Sequence, residues 1–211
     1  LTSVQVWLTL GVGAAGVGGI FAMYAYIAPT VTEVTGLPAS AVPIFLLVYG
    51  VSGLIGNIVA GRMGDWSVIR SIVIGLAGIG VALGVFAAVA SYAVAALVVL
   101  ALISVLASVL VINLQLRLMQ VAGSAQTLAA ASNHAALNLA NALGAWLGGL
   151  VIAAGFGYRA PSVVGVGLAA LGLVILGISL LIHRRDHPGR VSIRPGGPSG
   201  RDASSSVAQV S

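Results

Sequence analysis

The sequence predicts an all-α membrane protein with six transmembrane helices and a disordered C-terminal tail. Composition is the first reason: 59% of the 211 residues are hydrophobic and 6% are charged, whereas soluble domains carry about 25% charged residues. The mean hydropathy is +1.13. The second reason is that six separate segments each contain about 20 mostly apolar residues, the length that crosses a bilayer.

Short polar or glycine-rich segments separate the six predicted spans. The spans lie at about residues 6–28, 41–61, 71–90, 93–116, 127–154 and 162–183. Loops are predicted at 30–40, 62–70, 117–126 and 155–161, with a tight turn at 91–92. The six-helix transmembrane domain therefore covers residues 1–185. Residues 186–211 are rich in Arg, Pro, Gly and Ser, so we expect a disordered cytoplasmic tail.

The arginines predict the orientation of the chain. Six spans place both termini on one side of the membrane, and with that side cytoplasmic, only Arg159 of the nine arginines lies outside. The net charge of +5 is then a topology signal and does not indicate nucleic-acid binding. We expect a multi-pass protein of the inner (plasma) membrane with cytoplasmic termini. Because the chain begins at Leu1 and shows no signal peptide, we expect a fragment or a processed piece.

The fifth predicted span has one polar face. At 100° per residue, His134, Asn138 and Asn141 fall within an arc of about 80°. Polar side chains inside a membrane are costly and usually face a cavity or another helix. The predicted substrate-cavity residues are therefore His134, Asn138 and Asn141, with Tyr24, Tyr26 and Tyr49 as partners. Purely structural hydrogen bonding between helices is the alternative for these side chains, and Asn133, about 100° away, is expected to be structural.

The connector GRMGDWSVIR at residues 61–70 resembles the loop signature of the major facilitator superfamily. Gly61, Asp65 and Arg70 match that signature, whereas Trp66 and Val68 depart from it. The stretches FAMYAYIAP at 21–29 and SNHAALNLANALGAWLGG at 132–149 are similar to the drug:proton antiporter branch, in its arabinose-efflux and chloramphenicol-efflux-like group. The resemblance covers roughly residues 5–185.

This resemblance implies the C-terminal six-helix half of a transporter that works by alternating access and exports a small molecule in exchange for protons. Gly61, Asp65 and Arg70 would form a conformational latch; Asp65 as a helix-capping interface charge is the alternative. The implied partners are a small-molecule substrate, protons, the lipid bilayer and an N-terminal six-helix half or a second copy. Drug and sugar export are not separated by these residues.

Proton coupling needs a titratable group within the membrane, and no Asp or Glu lies inside a predicted span. His134 is able to carry a proton, but we expect the coupling carboxylate in the N-terminal half. The chain alone is therefore not expected to catalyse uphill transport. The sequence has no phosphate-binding loop, no cysteine and no metal-ligand spacing, so no cofactor, metal or enzymatic activity is expected.

Two alternatives stay open. Gly50-Val51-Ser52-Gly53 imitates the G-x-S-G of rhomboid-type intramembrane serine proteases, with His134 as the base, but these residues occupy the second and fifth spans in place of the protease's fourth and sixth. The other alternative is a six-span half that homodimerises, or a scaffold that transports nothing.

Overall fold

The computed structural model describes residues 4–122 and 126–186, which are mostly helical with short turns and contain no β-strand. Five segments are long and apolar enough to cross a membrane. One of them, Ala39–Val89, has 51 residues. A straight helix of that length would measure about 76 Å, more than twice the hydrocarbon core of a bilayer.

That long segment is broken only at Ser67, so the loop predicted at 62–70 is wrong for residues 62–66 and 68–70, which are helical. Ser67 has an extended backbone (φ −171°, ψ 112°) inside the helical stretch Val42–Val89. Its hydroxyl oxygen accepts a hydrogen bond from the Arg70 amide (3.4 Å), as an N-cap residue does. The Ser71 hydroxyl donates to the carbonyls of Met63 (2.7 Å) and Ser67 (2.8 Å). These contacts begin a second helix one residue after the first ends.

With the break at Ser67 taken as a boundary, the described residues contain six long helices, and the segments between them include π-helical turns at Thr30–Val34 and Ile152–Phe156. The turn predicted at 91–92 is present. The helices are α1 (Val4–Tyr24), α2 (42–66), α3 (68–89), α4 (Ala93–Ala122), α5 (Gln126–Val151) and α6 (Ala160–Asp186).

A second predicted loop also needs correction, and the predicted tail is not described by the structure. The loop expected at 117–126 is wrong for residues 117–122, which continue α4 to Ala122. Polar residues there suggested a loop, but the Arg117 side chain is buried against the bundle (8% exposed). The predicted tail lies outside the described residues, apart from Asp186, which ends α6.

Helix α1 lies in the middle of the bundle, in contact with α4, α5 and α6. Its glycines allow unusually close approach to two of these neighbours. A Cβ added at Gly144 of α5 would overlap the Gly18 carbonyl oxygen, and one at Gly165 of α6 would lie 2.5 Å from the Gly19 carbonyl oxygen. A Cβ at Gly148 would also lie 2.7 Å from the Ala22 carbonyl oxygen, so Gly144 and Gly148 both allow α5 to pack closely on α1.

Helix α4 packs against both α2 and α3. On the α2 side, a Cβ at Gly56 would lie 2.8 Å from the Ser108 Cβ, and on the α3 side, one at Gly75 would lie 3.2 Å from the Leu110 Cβ. The main apolar core fills the space between α1, α3 and α4 with buried side chains such as Leu76 and Leu83. This packing leaves one side of α1, α2 and α4 open.

Candidate substrate groove

A groove of about 420 Å³ lies between α1, α2 and α4. Val17, Ile20 and Phe21 of α1 form one wall. Most of the other lining side chains are aliphatic, and the polar ones are Tyr49, Asn57, Ser104 and Ser108. A mainly apolar surface with a few placed polar groups is typical of a small-molecule site.

Two of the predicted cavity residues meet at this groove. The rings of Tyr24 and Tyr49 lie 4.5 Å apart between centroids, with an interplanar angle of 36°. Phe21 lies edge-on to Tyr24 at 6.3 Å. Tyr49 lines the groove directly, and its hydroxyl has no hydrogen-bond partner among the described residues. The aromatic cluster therefore joins α1 to α2 and leaves the Tyr49 hydroxyl in the groove available to a ligand.

The two groove serines connect α4 to α2. The Ser104 hydroxyl donates to the Tyr49 carbonyl oxygen (2.5 Å), and the Ser108 hydroxyl donates to the Gly53 carbonyl oxygen (3.1 Å). Because each donor is used inside the bundle, the two side chains offer acceptor oxygens to the groove. Asn57 is exposed and offers both a donor and an acceptor there. Sequence reasoning did not assign these three side chains to the cavity, since each is flanked by apolar residues or glycine in its helix.

His134, Asn138 and Asn141 form what we call the α5 stripe, and all three are exposed in this six-helix unit. They do not line the groove between α1, α2 and α4. None has a hydrogen-bond partner among the described residues. The structure therefore places them on one open helix face but does not bring them against Tyr24 or Tyr49.

The groove and the α5 stripe nevertheless lie on the same side of the unit. On α1, Gly18 faces α5 and Gly19 faces α6, whereas Val17 and Phe21 line the groove. At 100° per residue, Val17 and Gly19 lie on opposite flanks of Gly18. The groove is thus on the flank of α1 that is turned away from α6.

Helix α5 likewise has one flank towards α6 and one flank turned away from it. Gly144 faces α1, and Leu143 lines a crevice shared with α1 and α6. Asn141 lies on the opposite flank of Gly144 from Leu143. The α5 stripe is therefore also turned away from α6, so α1, α2, α4 and α5 present polar groups to a common side.

Tyr26 and Asn133 have structural contacts. The Tyr26 hydroxyl donates to the Ala145 carbonyl oxygen (2.8 Å), and its ring occupies the space left by Gly148, where a Cβ would lie 2.8 Å from a ring carbon. The Asn133 amide donates to the Gln115 side-chain oxygen between α5 and α4. The expectation of a structural role for Asn133 is confirmed.

The predicted latch residues lie at the end of α2 and the start of α3. Gly61, Asp65 and Arg70 are all exposed. The Arg70 guanidinium lies 5.1 Å from the ring centroid of Trp66, a cation–π distance. Asp65 forms no ion pair with another described residue. The conformation observed therefore leaves the Asp65 carboxylate available to a partner.

A buried polar pair near the C-terminal end of α4 escaped the sequence reasoning. The Asn113 amide donates to the carbonyls of Ala60 (3.2 Å) and Val109 (2.9 Å), while its Oδ1 is buried without a partner. One turn further along, Arg117 has a buried Nη2 that is also unpartnered among the described residues. Asn113 connects α4 to α2.

The protease alternative gains no support from the geometry. Ser52 lies on α2 and His134 on α5, and no hydrogen bond joins them among the described residues. A nucleophile and its base need hydrogen-bond contact.

Comparison with known proteins confirms the resemblance to the major facilitator superfamily. The chain is 33% identical over 175 residues to the inner membrane transport protein YdhP of Escherichia coli K12, covering 83% of this chain and 45% of that protein. It is 34% identical over 191 residues to the MFS-type transporter YtbD of Bacillus subtilis (88% and 48%) and 31% identical over 174 residues to the MFS-type transporter YfhI of the same organism (81% and 43%). No protein-family model matches the chain. The chain spans somewhat less than half the length of these relatives, and it is a multi-pass membrane protein related to transporters.

Proposed function

We propose that this chain, as a relative of major facilitator transporters, forms the C-terminal six-helix half of one of them. The complete transporter moves a small molecule out of the cell by alternating access, in exchange for protons. Alternating access in this fold family rocks two halves around a site near the membrane midplane. The relatives' greater length supports a second half, because each is about twice as long as the matched region.

One observation carries the proposal. Aromatic and polar groups from four helices share one side of the unit: Tyr24 on α1, Tyr49 and Asn57 on α2, Ser104 on α4 and the α5 stripe. Asn57 and the α5 stripe are exposed in this unit, and exposed polar groups in a lipid-facing surface would be costly. That side therefore faces a water-filled cavity between two halves, and the groove forms one wall of the substrate path.

Six membrane crossings follow if α2 and α3 each cross once, with the break at Ser67 at the cytoplasmic surface. The arginines then place both termini in the cytoplasm. The acid that couples transport to protons lies in the other half, since the described helices of this chain contribute only Asp65 and Glu33 with placed carboxylates, and both are exposed outside the predicted spans.

Cysteine accessibility in the complete transporter tests the cavity side directly, and the chain has no native cysteine. Asn138→Cys and Leu139→Cys are neighbours on α5 at equal depth, and both positions are exposed in this unit. Asn138 belongs to the α5 stripe, whereas Leu139 lies on the flank towards the crevice with α1. We expect a charged, membrane-impermeant thiol reagent to label the Asn138→Cys variant at least tenfold faster.

Protection of the Asn138→Cys variant by an exported substrate would further support a position in the transport path. Equal labelling rates for the two variants would contradict the cavity assignment. A separate measurement addresses the two-half proposal: the 211-residue chain in liposomes with a pH gradient should show no uphill export.

A further inference from the structure

A second groove lies between α3 and α4, on the far side of α4 from the substrate groove. Its volume is about 540 Å³. On α4, Leu102 and Leu106 line this groove and Ser104 lines the other; Leu102 and Ser104 point about 160° apart at 100° per residue. This second groove, which we call the α3–α4 groove, is therefore independent of the proposed substrate path.

The α3–α4 groove is lined by aliphatic residues and glycine only. Its rims are strongly exposed: Val81 is 68% and Leu102 49% accessible. Gly78 forms part of the floor, and a Cβ there would lie 3.0 Å from the Leu106 methyl groups. Within a membrane, an open aliphatic channel of this kind is filled by hydrocarbon chains.

A fixed cation lies at one end of the α3–α4 groove. Arg70 precedes the lining residue Ile74 by four positions, so both lie on the same face of α3. Its guanidinium is held over the Trp66 ring at 5.1 Å, and both side chains are exposed. Arg70 has no ion-pair partner among the described residues, and Arg62, also exposed, lies one turn before Trp66. Net positive charge therefore remains at this end despite nearby Asp65.

We propose that the α3–α4 groove and Arg70 together bind one anionic phospholipid. One acyl chain lies along the aliphatic groove, the Arg70 guanidinium donates to the phosphate, and the Trp66 ring lies at the headgroup level, where tryptophan is favoured. The dimensions agree with this arrangement. Arg70 to Val85 spans about 22 Å along α3 at 1.5 Å per residue, close to half of the 40–45 Å bilayer thickness that includes headgroups.

Native mass spectrometry of the purified 211-residue chain tests the proposal with two probes that share their acyl chains, dioleoyl phosphatidylglycerol and dioleoyl phosphatidylcholine. We expect one phosphatidylglycerol to be retained about fivefold more strongly than phosphatidylcholine, the selectivity expected of one arginine near a membrane surface. Arg70→Gln should abolish the selectivity. Ala77→Phe, which fills the groove beside Gly78, should reduce retention of both lipids.

Arg159→Gln is the control, because Arg159 is an exposed arginine on the connection before α6 that donates to Ser91 in the α3–α4 turn, at the opposite end of the α3–α4 groove from Arg70. It should retain the wild-type selectivity. Equal retention of the two lipids by the wild type, or unchanged selectivity in Arg70→Gln, would overturn the proposal. Glycerol phosphate, which has the head but no acyl chain, should not compete; competition by it would show a simple anion site and overturn the role of the groove. If the Ala77→Phe variant does not fold, the selectivity of the Arg70→Gln variant still tests the proposal.

Discussion

The Tyr24 ring lies against the Tyr49 ring at 4.5 Å, which joins the end of α1 to the N-terminal half of α2 at the mouth of the proposed substrate groove. The pair has one free hydroxyl at Tyr49 within the groove. Removing only the Tyr49 oxygen tests ligand binding, whereas removing the whole ring also tests the packing against Tyr24.

Tyr49→Phe in the complete transporter should leave the unfolding temperature unchanged and raise the KM for an exported substrate several-fold. The ring contact with Tyr24 is kept, while the only groove hydroxyl without an internal partner is lost. Tyr49→Ala should in addition reduce the free energy of unfolding, since an aromatic pair contributes about 0.5–1.5 kcal/mol beyond its buried area. Transport assays with thermal unfolding in detergent measure both effects. An unchanged KM in Tyr49→Phe would remove its hydroxyl from the substrate path.

Gly144→Ala should destabilise the bundle by about 1–3 kcal/mol, the cost of overpacking a tight contact. A Cβ at this position overlaps the backbone oxygen of Gly18, and neither helix has a flexible side chain that is able to move aside. The control is Gly167→Ala on α6, where a Cβ meets nothing within 4 Å. That change should be neutral or slightly stabilising, because alanine favours the helix. Unfolding in mixed micelles compares the two variants, and equal stability would contradict the close α1–α5 contact.

Asn113→Ala should cost about 0.6–2 kcal/mol of unfolding free energy, the range for a hydrogen bond between membrane helices. Its amide connects α4 to the Ala60 carbonyl of α2. Asn57→Ala is the matched change on an exposed groove asparagine and should alter stability by less than about 0.5 kcal/mol. Asn57→Ala should instead reduce transport. The prediction is wrong if the two variants show the same loss of stability.

Asp65→Asn should slow transport in the complete protein without lowering the unfolding temperature. The carboxylate is exposed and unpaired here, so its loss removes no contact from this conformation, and an effect on rate would come from another conformation. Glu33→Gln, also at an exposed carboxylate, is the control and should leave the rate within twofold. A normal transport rate in Asp65→Asn would favour the simple interface-charge interpretation.

Composition and span length predicted the helical membrane architecture because both depend only on local hydrophobicity. The connector motif located the α2–α3 break, but it predicted a loop over 62–70 where only Ser67 leaves the helical conformation. The predicted end of α4 was wrong because the charge on Arg117 suggested a loop. Only tertiary packing reveals that this side chain is buried. A helical wheel gives directions within one helix but no register between helices. It therefore identified the α5 stripe as one face, but it did not show that Tyr26 donates to Ala145 or that Ser104 and Ser108 connect α4 to the groove wall.

The single extended residue at Ser67 has a mechanical consequence. A loop of several residues allows two helices to move independently. Here a single extended residue separates α2 from α3, and the Ser71 hydroxyl bonds to the carbonyls of Met63 and Ser67, so the two helices are closely coupled. When α2 tilts to widen or narrow the groove beside Tyr49, the first turn of α3 has to follow. Arg70 lies in that turn, so a change in the width of the proposed substrate groove and a shift of the Arg70 guanidinium occur together.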